Sequence, residues 1–457
     1  MRVTDLIRRY TGILAVYCGI MLTVLDGTIV NVALPSLTQY FHVEASATVW
    51  VVNAYQLVIT MLLLTFAALG DRLGYKPIFI TGISLFTLSS AACAASPSLP
   101  FLVGARVVQG IGAAMAMSVN TALVRMIYPP DKLGRGMGYN AMVVSLSTVA
   151  GPTLAGGILS ISSWHWLFLI NLPIGVAAVL LGIKYLPTNE TIDRNKEPFD
   201  RVSAIESAAL LWLIVNVMDD FTKSTDWRLV AAECAAILII GWFFVRRQNK
   251  FAHPLLPVDL LRIPLFSMSV CTSICSFCAQ MLAMVSLPFL LTDLGKDPLQ
   301  IGLLISPWPI GVMIAAPIAG RIVERVHGGL LGAIGMGVFA FGLLMLFLLP
   351  HNCSAMDIAW RMLLCGLGYG TFQTPNNVTL ASSAPRNRSG AAGGMQSIAR
   401  VLGQTFGTTG VAVAFHLIAN NEHASNTCLL AAMCIAILAS ILSALRLTQP
   451  SSYQHRR

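Results

Sequence analysis

The sequence predicts an all-α integral membrane protein, and two observations on its composition favour this class. Of the 457 residues, 56% are hydrophobic and only 11% are charged, whereas soluble domains carry about 25% charged residues. The mean hydropathy is +0.74. The net charge of +9 does not indicate a nucleic-acid partner, because the basic residues form no cluster interleaved with aromatic residues.

Fourteen stretches are apolar over the length that a helix needs to cross a membrane, which is about 20 residues. They lie near residues 12–34, 48–69, 77–95, 101–123, 136–160, 166–186, 203–218, 228–245, 265–291, 299–319, 329–349, 358–380, 393–418 and 427–446. The seventh and eighth stretches are short, and a re-entrant hairpin in their place would leave twelve full spans.

The distribution of lysine and arginine predicts the orientation of these helices. If the N-terminus lies inside, most of the 29 basic residues fall in inner loops or at the two termini, which is the positive-inside bias. Arg2, Arg8 and Arg9 precede an apolar run that is too long for a cleavable signal peptide. We therefore expect a retained first span, a multi-pass protein, and both termini in the cytoplasm.

One full charge, Asp26, lies within the first apolar run, in the stretch LTVLDGTIVNVALP. It is about 22 Å along the helix from Thr11, in the outer half of the membrane. Ionisable side chains in this environment are rare and usually functional. Because burial disfavours the charged form of a carboxyl group, Asp26 can take up a proton, and its ionised form would attract a cation. A structural hydrogen bond to a neighbouring span is the alternative.

Other ionisable residues lie within predicted spans. Arg106 begins the stretch RVVQGIGAAMAMS and is expected either to face a cavity or to bind backbone carbonyls. Gly110 and Gly112 follow it and permit close approach of another helix. Arg400 is either a counter-charge or extends to the inner surface. Glu206 and Glu233 lie near the ends of the two short middle spans and are expected to be solvated.

An internal repeat relates the inner loops ALGDRLGYK and GRIVERVHG. Three pairs of residues are separated by the same interval: Asp71 and Glu324, Arg72 and Arg325, and Arg135 and Arg388. Arg135 and Arg388 each open a span rich in small residues. The pattern predicts two parallel structural repeats, an architecture of transporters that bind substrate near the middle of the membrane.

The first of these loops resembles the signature loop of the major facilitator superfamily. Asp71, Arg72, Gly74 and Lys76 match it, whereas Tyr75 stands where the family has an arginine. Ala67 replaces the first glycine of the pattern. Gly74 is expected to adopt a positive φ in a tight reversal. The stretch at Arg106 is similar to the fourth-span motif of the family, which implies a role for Arg106 in proton coupling.

Further stretches resemble the fourteen-span drug:proton antiporter branch of this family. In AGPTLAGG, Gly151, Gly156 and Gly157 are expected to allow close packing and Pro152 to kink the helix; Ser147 and Ala155 replace two glycines of the antiporter motif. WVVNAYQLV, WHWLFLINLPIG and LDGTIVNVALP also match the branch. The resemblance implies two pseudo-symmetric six-helix bundles, residues 1–186 and 265–457, joined by a connector of residues 187–264 with two additional short spans.

The resemblance also implies a function. It indicates a proton-coupled antiporter in a bacterial inner membrane that exports amphipathic, cationic drugs or toxic metabolites; a symporter that imports a small metabolite is the alternative. The sequence contains no phosphate-binding loop and no HExxH pattern, so we expect no enzyme activity, cofactor or metal. The expected partners are a small-molecule substrate, protons and the lipid bilayer, and the expected state is a monomer.

Polar and aromatic residues on several spans are candidates for the substrate pathway, with helix–helix hydrogen bonding as the alternative for each of them. They are Asn53, Tyr55, Gln56, Gln109, Phe372, Gln373, Asn376 and Asn377. Pro375 is expected to break its helix and to free carbonyl groups toward a cavity.

Overall fold

A computed structural model of the protein describes residues 3–43, 45–48, 50–188, 200–223, 227–248, 257–296, 298–350, 353–385, 388–418 and 421–448. Every regular element in these ranges is helical, so the all-α prediction is confirmed. Arg2, and the parts of the predicted connector at residues 189–199 and 249–256, lie outside the described residues.

The α-helices follow one another with short intervening segments. They are α1 (Val3–Phe41), α2 (Ala45–Thr48), α3 (Trp50–Leu73), α4 (Tyr75–Ala94), α5 (Leu99–Ile127), α6 (Leu133–Ile161), α7 (His165–Leu169), α8 (Asn171–Tyr185), α9 (Arg201–Lys223), α10 (Trp227–Gln248), α11 (Val258–Leu261), α12 (Pro264–Asp293), α13 (Pro298–Ile305), α14 (Pro307–Ile322), α15 (Gly328–Phe347), α16 (Ala355–Ser383), α17 (Ser389–Leu417) and α18 (Asn421–Leu445). Two short 3-10 helices cover Pro130–Lys132 and Arg446–Thr448.

In the described part of the chain, eleven helical segments are long and apolar enough to cross a membrane, so the protein is a multi-pass membrane protein. Two of these segments are broken in the middle, one into α7 and α8 and the other into α13 and α14. The remaining predicted stretches fall on α9, α16 and α17, which have 23, 29 and 29 residues. At about 1.5 Å per residue, each of these is long enough to cross a core of about 30 Å.

The two middle helices are longer than their apolar stretches predicted. α9 has 23 residues and α10 has 22, because helical hydrogen bonding continues beyond the apolar part into charged residues at both ends. Glu206 and Glu233 are both partly exposed, but one carboxylate oxygen of each is buried, so the prediction that these residues are solvated is wrong for those two oxygens.

The chain divides into two compact units, and the first comprises Met1–Pro130, Leu146–Trp212 and Arg386–Gly394. In this unit α5 packs against α3 and α4, and α1 packs against α8. Gly110 and Gly112 allow the contacts of α5, because a methyl group at either position would press on the backbone of α3 or α4. The predicted close packing at these two glycines is therefore confirmed, as is usual where membrane helices associate through small residues.

The second unit comprises Asp131–Ser145, Leu213–Pro385 and Met395–Arg457. Here α16 packs against α14 and α15, and α18 packs against α12 and α15. The buried core of this unit contains the aromatic residues Trp308, Phe339, Tyr369 and Phe372. Pro375 lies inside α16, which continues without a break to Ser383, so the prediction of a helix break at Pro375 is wrong.

The reversal between α3 and α4 consists of one residue, Gly74, with φ 100° and ψ 147°. The predicted positive φ is confirmed. This conformation is essentially restricted to glycine and costs other residues about 1–3 kcal/mol. We expect Gly74→Ala to lower the melting temperature of the purified protein. Gly104→Ala is the matched control, because its Cβ would meet open space on helix α5; equal melting temperatures for the two variants would contradict the argument.

Candidate functional site

Two charged residues of predicted spans, Asp26 and Arg106, form a buried ion pair in the first unit. Asp26 on α1 and Arg106 on α5 are 1% and 0% exposed, and Arg106 Nη1 donates to Asp26 Oδ2. The other carboxylate oxygen, Oδ1, accepts hydrogen bonds from Gln109 Nε2 at 3.1 Å and from Asn171 Nδ2 at 3.0 Å. Since Asp26 accepts each of these hydrogen bonds, the arrangement suits an ionised carboxylate.

The amides of this cluster are held by a hydroxyl group on a further helix. Ser90 on α4 accepts hydrogen bonds from Gln109 Nε2 at 2.7 Å and from Asn171 Nδ2 at 3.4 Å. Gln109 Oε1 in turn accepts from Arg106 Nη1 at 2.7 Å. The charged pair is therefore one part of a network that reaches α1, α4, α5 and α8.

The Arg106 guanidinium is positioned from α3. Its Nε donates to the backbone carbonyl of Val51 at 2.9 Å, and its central carbon lies 4.0 Å from the centre of the Tyr55 ring, a cation–π distance. The Tyr55 hydroxyl donates to the carbonyl of Thr23 at 3.0 Å. Among the described residues, Arg106 Nη2 has no hydrogen-bond partner, so one donor of the cluster is left over.

Loss or protonation of one partner of this pair changes the charge of the whole cluster. A buried ion pair that loses one partner is destabilised by about 3–5 kcal/mol, because the remaining charge is uncompensated. The intact pair has no net charge. Protonation of Asp26 would leave a net positive charge in a region of low dielectric constant, where charges interact over long distances.

Asp71 of the signature loop binds the start of a distant helix in the same unit. Its Oδ1 accepts from the backbone N–H of Gly390 at 2.7 Å, and its Oδ2 accepts from that of Ala391 at 2.9 Å. These N–H groups belong to the first turn of α17, so Asp71 caps that helix and compensates its dipole. Tyr75, which stands where the family has an arginine, donates to Asp71 Oδ1 at 2.6 Å.

The corresponding acid of the second repeat makes a reciprocal contact in the second unit. Glu324 Oε2 accepts from Arg135 Nη2 at 3.1 Å and from Arg135 Nε at 3.2 Å. Asp71 thus contacts the segment that opens with Arg388, and Glu324 contacts Arg135. The acid of each sequence repeat therefore contacts the segment opened by the arginine of the other repeat.

The remaining members of the two loops differ in their surroundings. Lys76 Nζ donates to the carbonyls of Ile183 at 2.7 Å and Leu186 at 3.0 Å, so it neutralises the C-terminal end of α8. Arg72 is partly exposed and Arg325 is exposed. Lys76 thus fastens α4 to α8 within the first unit.

The sequence model of the Major Facilitator Superfamily matches residues 16–408, which is most of the chain. The chain belongs to this superfamily. It is therefore a transporter rather than an enzyme, and the predicted major facilitator fold is confirmed. The human organic anion transporter MFSD10 has the same fold, with a TM-score of 0.68 at 15% identity over 95% of this chain and 99% of the other.

Three relatives of known sequence cover nearly the same length of this major facilitator. The uncharacterized transporter YebQ of Escherichia coli (strain K12) is 50% identical over 97% of both chains. The riboflavin transporter RibZ of Clostridioides difficile (strain 630) is 29% identical over 87% of this chain and 86% of its own. The multidrug efflux pump LfrA of Mycolicibacterium smegmatis is 30% identical over 89% of this chain and 81% of its own.

The candidate pathway residues of this major facilitator divide into buried and accessible groups. Tyr55 and Gln109 belong to the network around Asp26. Phe372 is buried in the core of the second unit. Asn53 and Gln56 on α3 are exposed. Asn53 and Gln56 are therefore accessible, whereas Tyr55, Gln109 and Phe372 have roles in hydrogen bonding or packing inside the protein.

The candidate residues on α16 also divide into buried and partly exposed side chains. Asn376 is buried and donates to Ser273 Oγ at 2.7 Å, while its Oδ1 accepts from Arg446 Nη1 at 2.6 Å. Gln373 and Asn377 are partly exposed, and the structure gives neither side chain a hydrogen bond within its described ranges. Gln373 and Asn377 are one helical turn apart, so they lie on one face of α16.

Three participants in these clusters are not among the residues singled out from the sequence. Ser90 and Asn171 are uncharged, and polar residues of this kind are common in membrane helices. Asn171 does lie in the stretch WHWLFLINLPIG, where it is the one amide. Arg446 is fully buried, although the charge pattern groups it with the basic residues of the C-terminus.

The stretch AGPTLAGG packs against α1 at Thr28, two residues after Asp26. A Cβ at Gly151 would collide with the Thr28 side chain, whereas Gly156 and Gly157 have nothing within 4 Å of such an atom. The predicted close packing is therefore confirmed at Gly151 and is wrong at Gly156 and Gly157. Pro152 is exposed within α6.

We expect Gly151→Ala to lower the melting temperature of the purified protein, because the added methyl group forces α1 and α6 apart at Thr28. Overpacking of this kind costs about 1–3 kcal/mol. Gly156→Ala on the same helix is the matched control and should leave the melting temperature unchanged. A melting temperature of Gly151→Ala equal to that of the wild type would show that α1 and α6 can move apart at this point without loss of stability.

Proposed function

We propose that this protein is a proton-coupled antiporter that exports amphipathic, cationic compounds across a bacterial inner membrane by alternating access. It would belong to the fourteen-span drug:proton branch and work as a monomer with both termini in the cytoplasm. The observation that carries the proposal is the buried, neutral pair of Asp26 and Arg106.

The pair offers a physical reason for exchange. When Asp26 is ionised, the network around it carries no net charge, and a cationic compound can bind in the same unit. When Asp26 is protonated from the outer side, Arg106 is left with an uncompensated charge, and a nearby cation is repelled through a medium of low dielectric constant. Proton uptake thus favours release of the cation, and proton release favours its binding.

Arg106 and Asp26 therefore have different roles in the proposal. Asp26 is the proton carrier. Arg106 is the counter-charge whose hydrogen bonds, to Val51 and Gln109, register whether Asp26 is charged. Protonation of Asp26 would also change the hydrogen bonds of Gln109 and Asn171, because both donate to Asp26 Oδ1.

The direction of transport is supported by the antiporter motif and by the relatives. Gly151 of that motif packs on Thr28, two residues from Asp26, so the exporter motif adjoins the proposed proton carrier. LfrA, at 30% identity, is named as a multidrug efflux pump. The alternative of a metabolite importer draws support from RibZ, which is named as a riboflavin transporter.

Everted membrane vesicles provide a direct test. An acidic interior should drive accumulation of the cationic dye rhodamine 123 in vesicles that contain the protein, and an uncoupler should abolish it. Vesicles without the protein are the control. Accumulation that persists without a proton gradient would refute proton coupling. Right-side-out vesicles with an inward proton gradient test the alternative, because an importer would concentrate substrate there.

A further inference from the structure

Arg400 and Tyr369, in the second unit, present hydrogen-bond donors for which the described part of the chain supplies no acceptor. We infer that they form a binding site for an anionic oxygen group, a carboxylate or phenolate, carried on an aromatic compound. The inference rests on the proposed transport function and specifies one charge of the substrate. A compound with both a protonated amine and an acid group would carry the cation of the proposed function and the anion that this site binds.

The position of Arg400 is unusual for an arginine. It lies well inside α17, the helix Ser389–Leu417, about 16 Å along the axis from the first residue. An unpaired cation at such a depth is costly, and arginines within spans normally have a partner. Within the residues that the structure describes, Arg400 makes no hydrogen bond and no ion pair.

Three buried arginines show what Arg400 lacks. Arg106 binds the carboxylate of Asp26. Arg446 donates to Ser269, Asn376 and Ser443. Arg361 donates to the carbonyl of Met345 and pairs with Asp357. Each of these guanidinium groups has oxygen acceptors from the protein, whereas Arg400 has only water or a ligand as the source of an acceptor.

Tyr369 provides an independent observation. Its side chain is 2% exposed, and its buried hydroxyl has no hydrogen-bond partner in the described structure. Ser276 approaches this hydroxyl without forming a hydrogen bond of acceptable geometry. Gly403, one helical turn after Arg400 on α17, packs against Phe277 of α12, and the ring centre of Phe277 lies 6.1 Å from that of Tyr369. The part of α17 that carries Arg400 and the Tyr369 ring therefore adjoin the same residue of α12, where one anionic group can accept from both donors.

The accessibility of Arg400 favours a ligand site over a purely structural role. Arg400 is partly exposed although it lies well inside α17, whereas Arg106 and Arg446 are fully buried. A side chain that only fills the core would have no accessible surface. Arg400 therefore combines a position within a span with access, as a ligand requires.

The surroundings of Tyr369 favour an aromatic ligand. Its ring centre lies 6.1 Å from that of Phe277, 5.7 Å from that of Phe339 and 6.3 Å from that of Phe372. These rings keep the dielectric constant low, which strengthens an ion pair once the anion has lost its water. An organic anion with an aromatic body sheds that water more readily than a small inorganic anion, because most of its surface is apolar.

Two dyes with the same tricyclic framework test the inference. Fluorescein carries a carboxylate and a phenolate, whereas rhodamine 123 is a cation with an esterified acid. Fluorescence polarisation with purified protein in lipid nanodiscs measures the binding of each dye without a proton gradient. Arg400→Gln should weaken fluorescein binding by about 10- to 100-fold, the effect of losing a charge-assisted hydrogen bond, and should leave rhodamine 123 binding unchanged.

Further variants separate the site from general effects. Tyr369→Phe should weaken fluorescein binding less than Arg400→Gln does, and Arg400→Lys should restore part of it. Arg262→Gln removes the same charge from an exposed position of the second unit and should have no effect. Unchanged rhodamine 123 binding shows that a variant is folded.

The outcomes that would overturn the inference are clear. They are a wild type that does not bind fluorescein, an Arg400→Gln variant that binds it as the wild type does, or an equal loss for both dyes. Failure of the proposed function would look different, because proton-independent accumulation of rhodamine 123 in vesicles involves neither fluorescein nor Arg400. Each failure can therefore be recognised without the other.

Discussion

Replacing Asp26 with asparagine is expected to abolish the stimulation of rhodamine 123 accumulation by a proton gradient in everted vesicles. Asparagine has the shape of aspartate but cannot carry the proton. It also leaves Arg106 without its counter-charge, in the state that we assign to the protonated protein. Since coupling energies between sites are about 1–3 kcal/mol, the expected loss is about 5- to 150-fold.

The double variant Asp26→Asn, Arg106→Gln separates coupling from stability. Asp26→Asn alone should lower the melting temperature, because it leaves a buried charge unpaired. Removing both charges leaves a neutral network that the amides of Gln109 and Asn171 can still join, so the melting temperature should recover. If the ion pair only supports the fold, the double variant should also recover proton-driven accumulation. We expect it to recover stability alone.

The same transport assay also tests the role of Arg106. Arg106→Lys retains a positive charge but cannot keep the hydrogen bonds to Asp26, Val51 and Gln109 together, because lysine lacks the planar fork of arginine. We expect this variant to retain proton-dependent accumulation at a reduced rate. A wild-type rate would mean that the counter-charge alone matters and that the hydrogen-bond geometry around it does not.

Much of the fold follows from the sequence, because hydrophobic length determines where helices cross a membrane. Each predicted stretch overlaps a helix in the structure. The interruptions were not predicted, since the break between α13 and α14 lies at Ser306 within an otherwise apolar run. Pro375 shows the opposite case. A proline costs one backbone hydrogen bond, and tightly packed neighbours of α16 can hold the helix through it.

The site was predictable as separate residues and not as an arrangement. Asp26 and Arg106 each stand out as charges in apolar helices, but they are 80 positions apart, and a single sequence does not state which helices adjoin. Ser90 and Asn171 carry no signal that distinguishes them from other polar residues. Arg400 does stand out in the sequence. Its lack of a partner appears only when the neighbouring helices are in place.

The contacts of Asp71 and Glu324 lead to the second large effect that we expect. Asp71→Asn should slow proton-driven export, because an amide can accept only one of the two hydrogen bonds from the first turn of α17. Loss of a helix cap costs about 0.5–2 kcal/mol. If this contact stabilises one state of the transport cycle, its loss shifts the balance between states by up to about 30-fold.

Hydrogen exchange provides a readout that is specific to this contact. The N–H groups of Gly390 and Ala391 are protected by Asp71, so a peptide covering the start of α17 should exchange faster in Asp71→Asn. Tyr75→Phe is the comparison variant. It removes the hydrogen bond that Tyr75 donates to Asp71 and the longer one, 3.3 Å, that Gly390 N–H donates to the Tyr75 hydroxyl, but it leaves both hydrogen bonds that α17 donates to Asp71. Its effect on exchange and on export should be smaller.

The reciprocal contact predicts how a second variant behaves. Glu324→Gln weakens the pairing with Arg135 in the second unit. The side chain of Arg135 is 44% exposed and that of Glu324 is 11% exposed. Because access of water to Arg135 weakens the ion pair, the effect of Glu324→Gln alone should be smaller than that of Asp71→Asn. If the two repeat-related acids stabilise the same state, the double variant Asp71→Asn, Glu324→Gln should export more slowly than Asp71→Asn. If they stabilise opposite states, Glu324→Gln should partly restore the export that Asp71→Asn loses. An export rate of the double variant equal to that of Asp71→Asn would mean that Glu324 repeats the sequence position of Asp71 without sharing its role in stabilising a transport state.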